Sequence, residues 1–513
     1  MKQTSPILRL HLPRAAQSID PRAGVDRTSG IVIRMLYEGL CRFNHKKEIE
    51  PAIARTIIPA SDQKRYIFEL RETFWSNGLP LTAYDFEYAW KNFLKPDFNS
   101  PYCFLFFSIK NAEAAKRGDI PMQEVGIEVV DDHTLIVTLE YPAPFILELM
   151  TSWLFSPLCR EIDQKHPGWT HHSGATHVSN GPFKLDLWKL SNELQLMQNP
   201  LYWDPTNVKF DKVQISIIEN ESQALERFVL GDLDWVGDPL SKIPPHKIAD
   251  LKKNDQLQID RQNFGLFWMQ INMQKMPFQN THIRKAFAYG TNRHKLINDV
   301  LHSEDTPAFG FSLDNEHSYP PLFSDDDSAR ALECFEKGLK ELGISRQNLA
   351  PIVITHSEIE EQIAISQALA EQWQNLFGIE ICCECINWNS YFDALARSEF
   401  MIGGLVWYPR YTDPVYFYDL FVSRSYSIKV SAWKDESYEK LIHQAKFTRT
   451  PEKKKELLMQ AEKILLEAMP AIPLFYQYQR HAKNPRLEGY ISTQTNQVDF
   501  RTAYLTPDTG GFH

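Results

Sequence analysis

Short stretches of alternating apolar and polar residues follow one another along the chain, separated by runs with helical spacing, a pattern that predicts a mixed α/β protein. Ile7–Leu12 alternates as a strand, and Ser18-Ile-Asp-Pro21 ends it in a turn. A polar loop at residues 22–29 leads to a helix-like run with Ile31, Met35, Leu36 and Leu40 on one face and Gly39 at its close. Residues 66–71 read as a half-buried strand. Thr82 with Asp85 forms a capping box ahead of Phe86 and Trp90, so a helix is expected from about residue 83. Residues 125–139 are two alternating strands joined at Asp131-Asp132-His133, and residues 100–107 are an aromatic cluster suited to packing under a lid. Further strands are expected up to Trp188, at 210–218 and at 232–236, with a short helix at 222–230 closed by Gly231.

Near residue 264 the pattern changes to a nearly continuous apolar strand, Phe264-Gly-Leu-Phe-Trp-Met-Gln-Ile-Asn272, of the kind buried on both faces. A helix is expected over 283–301. Residues 352–355, a helix through Ile365, Leu369 and Trp373 closed by Gly378, and a strand at 379–386 form a β-α-β unit. It leads through Trp388 and another helix to Leu405-Val-Trp407. There Pro409, which lacks an N–H, and Pro414 force the chain out of any sheet and present Trp407, Tyr408, Arg410 and Tyr411 at a strand end, where open α/β sheets place their ligands. Thr450-Pro451 starts a long helix stopped by Pro470, and residues 472–478 are an aromatic strand.

At 513 residues the chain exceeds the size of a single core, so two or three domains are expected; without a Gly/Pro/Ser linker or a repeat, they are joined intimately, by more than one crossing. Aromatic residues make up 12% of the chain, enough to line a ligand cavity, and a net charge of −10 with dispersed Lys and Arg disfavours nucleic acid and anionic lipid. No apolar run is long enough to span a bilayer. The first residues show no leader pattern, which fits a cytosolic protein or one whose leader has been removed.

Of the seven cysteines, Cys382, Cys383 and Cys385 suggest a metal cluster at first sight, but strand alternation turns Cys382 to the face opposite the other two. They read as buried, unreactive thiols. His166, His171, His172 and His177 fall in a Gly/Ser/Thr-rich stretch and read as a solvated loop. GxSxG, HExxH, P-loop and GxGxxG patterns are absent, which favours binding over turnover.

The order of several stretches carries a resemblance: Leu36-Tyr-Glu-Gly-Leu40, Phe68-Glu-Leu-Arg71, Trp75-Ser-Asn-Gly-Leu-Pro-Leu-Thr-Ala-Tyr-Asp-Phe86, Asn180-Gly-Pro-Phe-Lys-Leu185, Asn199-Pro-Leu-Tyr-Trp203 and Asp413-Pro414. From about residue 7 to about 490 the chain resembles the oligopeptide-binding lipoproteins of bacterial ABC importers, extracellular solute-binding family 5. The resemblance implies an α/β clamshell of the periplasmic-binding-protein type (type II, cluster C), with two main lobes and an extra small α/β lobe, closing on its ligand about a hinge. One lobe would comprise 1–37, 162–263 and 479–513, the small inserted lobe 38–161 and the far lobe 264–478, with the cleft between the first and the last. It also implies a monomeric, non-enzymatic protein without cofactor or metal, exported to the periplasm or cell surface with a lipid anchor on its precursor, that binds a peptide and meets a membrane permease. A binder of metal chelates or other small molecules, and an enzyme on the same scaffold, are the alternatives.

Main-chain pairing with an extended peptide is implied at residues 25–28, with Asp26, Arg27 and Thr28, and at Val406, Trp407 and Tyr408. Trp268, Gln270, Trp388, Phe475 and Tyr476 match cavity-lining positions whose other reading is core packing, and Arg410, Tyr411 and Asp413 complete the ligand-binding set. The chain departs from the family in three places. Arg410 stands where peptide-binding members carry an Asp for the ligand's α-ammonium, Gly404 where some carry an Arg, and Arg27 at a usually neutral position. Blocked peptides, or peptides with extra carboxylates such as γ-glutamyl or cell-wall peptides, are expected instead.

Overall fold

A computed structural model describes residues 6–24, 26–100, 102–171, 176–189, 192–312, 321–422, 433–448, 450–493 and 495–507. The chain forms two compact units, one of Met1–Ile243, Gln256–Ile259 and Arg480–His513, the other of Pro244–Asp255 and Asp260–Gln479.

The first unit opens with β1 (Ile7–Leu12) and α1 (Arg27–Leu36). Asp26 caps α1 by accepting from the Ser29 N–H, so Arg27, Thr28 and Ser29, expected in a loop, form its first turn. The helix stops at Leu36, short of the expected Gly39, because Tyr37 is already extended. Then come β2 (Ala54–Pro59), β3 (Arg65–Leu70), α2 (Ala83–Phe93), β4 (Ile127–Asp131) and β5 (Thr134–Thr138), the strands in the order β2-β3-β5-β4. The Thr82/Asp85 capping box is formed. The aromatic cluster is core: the Phe106 ring stacks on Phe155 at 4.0 Å, and the Trp90 indole donates to the Phe155 carbonyl at 3.0 Å. A second sheet, in the order β1-β8-β7-β6, adds β6 (Phe183–Lys189), β7 (Glu193–Gln198) and β8 (Lys212–Ile217), with β1 parallel to β8. Next come α3 (Glu221–Val229), closed by Gly231 at φ +82°, and β9 (Trp235–Gly237).

The second unit is built on β10 (Gln258–Ile271), which enters from the first. It is followed by α4 (Thr281–Tyr289), α5 (Ser328–Leu342), β11 (Ile352–Ser357), α6 (Glu360–Phe377), β12 (Ile381–Ile386), α7 (Trp388–Arg397), β13 (Ile402–Trp407), α8 (Tyr416–Asp419), α9 (Pro451–Ala468) and β14 (Ala471–Lys483). Within the second unit the sheet order is β14-β10-β13-β11-β12; the last residues of β14, which belong to the first unit, pair with β9 there. The β-α-β unit forms with β11 and β12 parallel. The single helix expected over 283–301 is broken instead: Gly290 ends α4, and Asn292 caps a fresh turn by accepting from the Lys295 N–H.

That break sets Arg293 in the core. Fully buried, it donates to the carbonyls of Ala308 (3.0 Å) and Pro473 (2.9 Å) and pairs with Asp325 at 3.2 Å, and burial lowers its pKa to about 10. It thereby fixes β14 just ahead of Phe475 and Tyr476. No described helix is long and apolar enough to cross a membrane.

Two further expectations are overturned. Cys382, Cys383 and Cys385 are exposed rather than buried, because β12 is the last strand of its sheet. His177 is not solvated: it is buried between Tyr37 and Trp169, with ring centroids 6.2 and 5.3 Å away. His166 and His171 lie in the described part of that stretch, and His172 lies outside the described residues.

Burial lowers the pKa of His177 to about 4, and burial with the nearby Arg227 charge does the same to His11. An unfolded histidine binds its proton near pH 6.5, so between about pH 6.5 and 4 the unfolded chain binds more protons than the folded one, and stability falls as pH falls through that window. Urea titrations across it should show the first unit losing on the order of 2–3 kcal/mol per histidine. His177→Phe should flatten the slope; an unchanged slope would contradict the buried, neutral imidazole.

Candidate functional site

β10 and β13 form the centre of the second unit's sheet, in antiparallel register from Leu266↔Trp407 to Ile271↔Ile402. Gly404 lets them approach, since a Cβ there would lie 2.3 Å from the Met269 sulfur and 3.2 Å from the Trp268 carbonyl. A side chain as long as arginine has no room at that position.

Alternation puts Trp268 and Gln270 on one face, with Trp407, the register partner of Leu266, beside them. The Trp268 and Trp407 rings stack at 5.2 Å and 5°. Phe311 (5.6 Å) and Phe417 (5.8 Å) close edge-on around Trp268. Trp388 and Trp407 pack on the cluster of Tyr391, Leu395, Phe400 and Leu405, and Tyr476 meets Phe264 edge-on at 5.6 Å. Within this aromatic wall, the indole N–H groups of Trp268 and Trp407 and both amide atoms of Gln270 are buried with no hydrogen-bond partner among the described residues. Trp268 and Gln270 are wholly inaccessible. Each such group costs about 1–3 kcal/mol unless something pairs with it.

The backbone beside this wall is open as well. β11 pairs with β13 only at Ile402 and Gly403. At Gly404 the buried Tyr391 hydroxyl takes over, accepting from the N–H and donating to the C=O at 2.7 Å each. Past that point no described strand covers this edge of Leu405–Trp407. Val406, two residues beyond Gly404, points its N–H and C=O the same way.

Other predicted site residues are committed elsewhere. Phe475 is fully buried and stacks on Phe267 at 5.3 Å, hence on the face opposite Trp268. Tyr411 is buried edge-on against Tyr416 at 5.0 Å, and Asp413 pairs with Lys454 at 2.7 Å while accepting from the Val415 N–H. These are packing and turn-forming roles. The Tyr408 hydroxyl donates to Gln477, which donates in turn to Glu361 at 2.6 Å. Arg410 is half-buried just past β13.

In the first unit, Asp26 is the α1 cap, Thr28 is buried in the first turn, and Val25 lies outside the described residues. Arg27 donates to Asp238 (2.9 Å) and Asn496 (3.0 Å). Burial raises the Asp238 pKa, but the Lys242 and Arg27 charges outweigh it and hold the carboxyl below its ordinary range. Tyr391, Gln477 and Asp238 were not singled out by sequence, because nothing in their local spacing distinguishes them from core residues.

An aromatic wall with unmet polar groups beside an open strand edge defines a ligand-binding α/β protein. The family described as bacterial extracellular solute-binding proteins, family 5 middle, matches residues 48–428. The oligopeptide-binding protein OppA of Bacillus subtilis is 34% identical over 508 residues, 97% of this chain and 92% of that protein. Among solved structures, Haemophilus influenzae OppA in complex with RPPGFSPFR matches with a TM-score of 0.91 at 25% identity, covering 98% of this chain and 99% of that one. The Escherichia coli murein tripeptide-binding protein MppA matches at 0.89 and 26%, covering 98% of each chain. The chain belongs to family 5 of the bacterial extracellular solute-binding proteins.

If the Gln270 amide exists to meet a ligand, removing it should relieve the free protein. Gln270→Leu should raise ligand-free stability by about 1–2 kcal/mol in urea unfolding. A destabilisation of that size would show that the amide belongs to the core.

Proposed function

We propose that this chain is the extracytoplasmic solute-binding subunit of an ABC importer. In this reading it captures an extended peptide by strand addition along the edge of residues 405–407 and hands it to a membrane permease without chemical turnover. The observation that carries the proposal is the edge that Tyr391 leaves open beyond Gly404, since main-chain pairing there holds a peptide without reading its side chains. The buried polar atoms of Trp268, Gln270 and Trp407 beside it support the reading, as do the printed functions of the OppA relatives. The closing of two lobes on the ligand, the division into 1–37 with 162–263 and 479–513, 38–161 and 264–478, the monomeric state and the location in the periplasm or on the cell surface with a lipid anchor belong to the same proposal.

The ligand we favour carries extra carboxylates, as γ-glutamyl and cell-wall peptides do. Arg410 sits where other members use an Asp against the ligand's ammonium, and a guanidinium suits a carboxylate in bidentate pairing while repelling an α-ammonium. MppA, with a murein tripeptide in its name, is among the relatives.

Calorimetry with a free-amine tripeptide and its γ-glutamyl analogue tests both parts. The wild type should prefer the γ-glutamyl peptide. Arg410→Asp should reverse the preference, and Val406→Pro, which removes one outward N–H from an edge, should weaken both ligands about tenfold. Equal affinity of wild type and Val406→Pro would exclude strand addition here; tight tripeptide binding unaffected by Arg410→Asp would exclude the charge preference.

A further inference from the structure

A second concentration of chemistry lies on β12, the outermost strand of the second unit's sheet. Cys382, Cys383 and Cys385 are free and exposed there, whereas Cys41, Cys103 and Cys159 are buried and Cys334 is half-buried. β12 is held extended by parallel pairing with β11 from Ile352↔Ile381 to Ser357↔Ile386, so successive side chains alternate. The side chains confirm the sorting. The Cys382 thiol lies 3.8 Å from Glu380, and Thr355 reaches Glu384 at 3.2 Å, which places Cys382 and both glutamates on one face. Cys383 and Cys385 share the other.

Distances then decide what this pair can do. Two residues along a strand separate their Cβ atoms by about 6.6 Å, while a disulfide needs about 3.5–4.5 Å. The two thiols cannot join without bending a strand that a full ladder holds. A bridging ion asks for less: with metal–thiolate bonds of about 2.3 Å, the sulfurs need come only within about 4.6 Å, which two side chains leaning toward each other reach.

The donor set also selects the ion. Among the described residues no group of three or more His, Cys, Asp or Glu is placed to hold a metal, so a tetrahedral ion such as zinc(II) lacks its third and fourth ligands. Two thiolates alone suit a soft ion content with linear coordination. We propose that Cys383 and Cys385 form a two-coordinate site for a soft monovalent cation, copper(I) or silver(I). Binding exchanges protons for metal without redox change: one M⁺ and two thiols give a bis-thiolate complex of charge −1 and release two protons. This site is independent of the peptide edge, with β11 between β12 and β13.

The test uses the full chain, reduced and kept under nitrogen, with copper(I) supplied as its bathocuproine disulfonate complex. The wild type should withdraw one copper(I) per chain. Cys383→Ser and Cys385→Ser should each weaken retention by about 100-fold or more, while Cys382→Ser should leave it unchanged. X-ray absorption should show two sulfur neighbours. All three positions are exposed, so serine leaves the packing intact, and matching circular dichroism spectra establish this for each variant. The proposal is overturned if the wild type takes no copper from the chelator, if Cys382→Ser loses it equally, if the double variant Cys383→Ser/Cys385→Ser still retains one copper per chain, or if three sulfurs surround the metal.

Discussion

The structure of the second unit turns on one unmet requirement: buried backbone and side-chain polar groups need hydrogen-bond partners, and β13 leaves some of them without. Its first residues are paired on both sides, by β10 and by β11. At Gly404 a side-chain hydroxyl replaces the neighbouring strand, and past that residue the ladder has only one side. Two indoles and an amide on the adjacent face share the shortage. Elsewhere the unit meets such needs closely, as Arg293 does for the carbonyls of Ala308 and Pro473, so the shortage at β13 is local.

The sheet that carries the open edge is closely packed and tied by buried side chains. Gly404 brings β10 and β13 together so closely that the Met269 sulfur fills the space of a Cβ. Arg284 ties the start of the helical layer to the end of α9 through the Ala468 carbonyl at 2.7 Å, and Arg293 anchors β14. Buried guanidiniums that bridge several carbonyls hold strands in register at a cost in desolvation, visible in the lowered pKa of both arginines. A ligand meeting this edge would find its partners already in place, which limits the ordering cost of binding.

Much of this was legible in the sequence, for reasons that differ by residue. The capping box at Thr82, the Gly378 stop after α6 and the apolar run of β10 rest on local rules, and they formed as read. The broken helix after Gly290 and the first turn of α1 were missed because a single cap, Asn292 or Asp26, outweighed periodicity. The thiols of β12 were misjudged because alternation gives the face of a residue but not whether anything covers it; only the position of β12 at the sheet edge does that. At the candidate site, Trp268, Gln270 and Phe475 came from the family resemblance, whereas Trp407 and Tyr411 came from the proline-stopped strand end; Phe475 and Tyr411 pack against neighbouring rings, and Asp413 makes a turn bond and an ion pair. Side-chain commitment, such as the Asp413–Lys454 pair, depends on contacts far apart in sequence and has no local signal.

Native mass spectrometry of the protein purified without unfolding tests the central claim most directly. The account predicts that the chain carries a bound species which, released by collision, fragments as a peptide. Unfolding and refolding should remove it, and a peptide mixture should restore it. A chain that leaves the cell bare, and stays bare in the presence of that mixture, would contradict it.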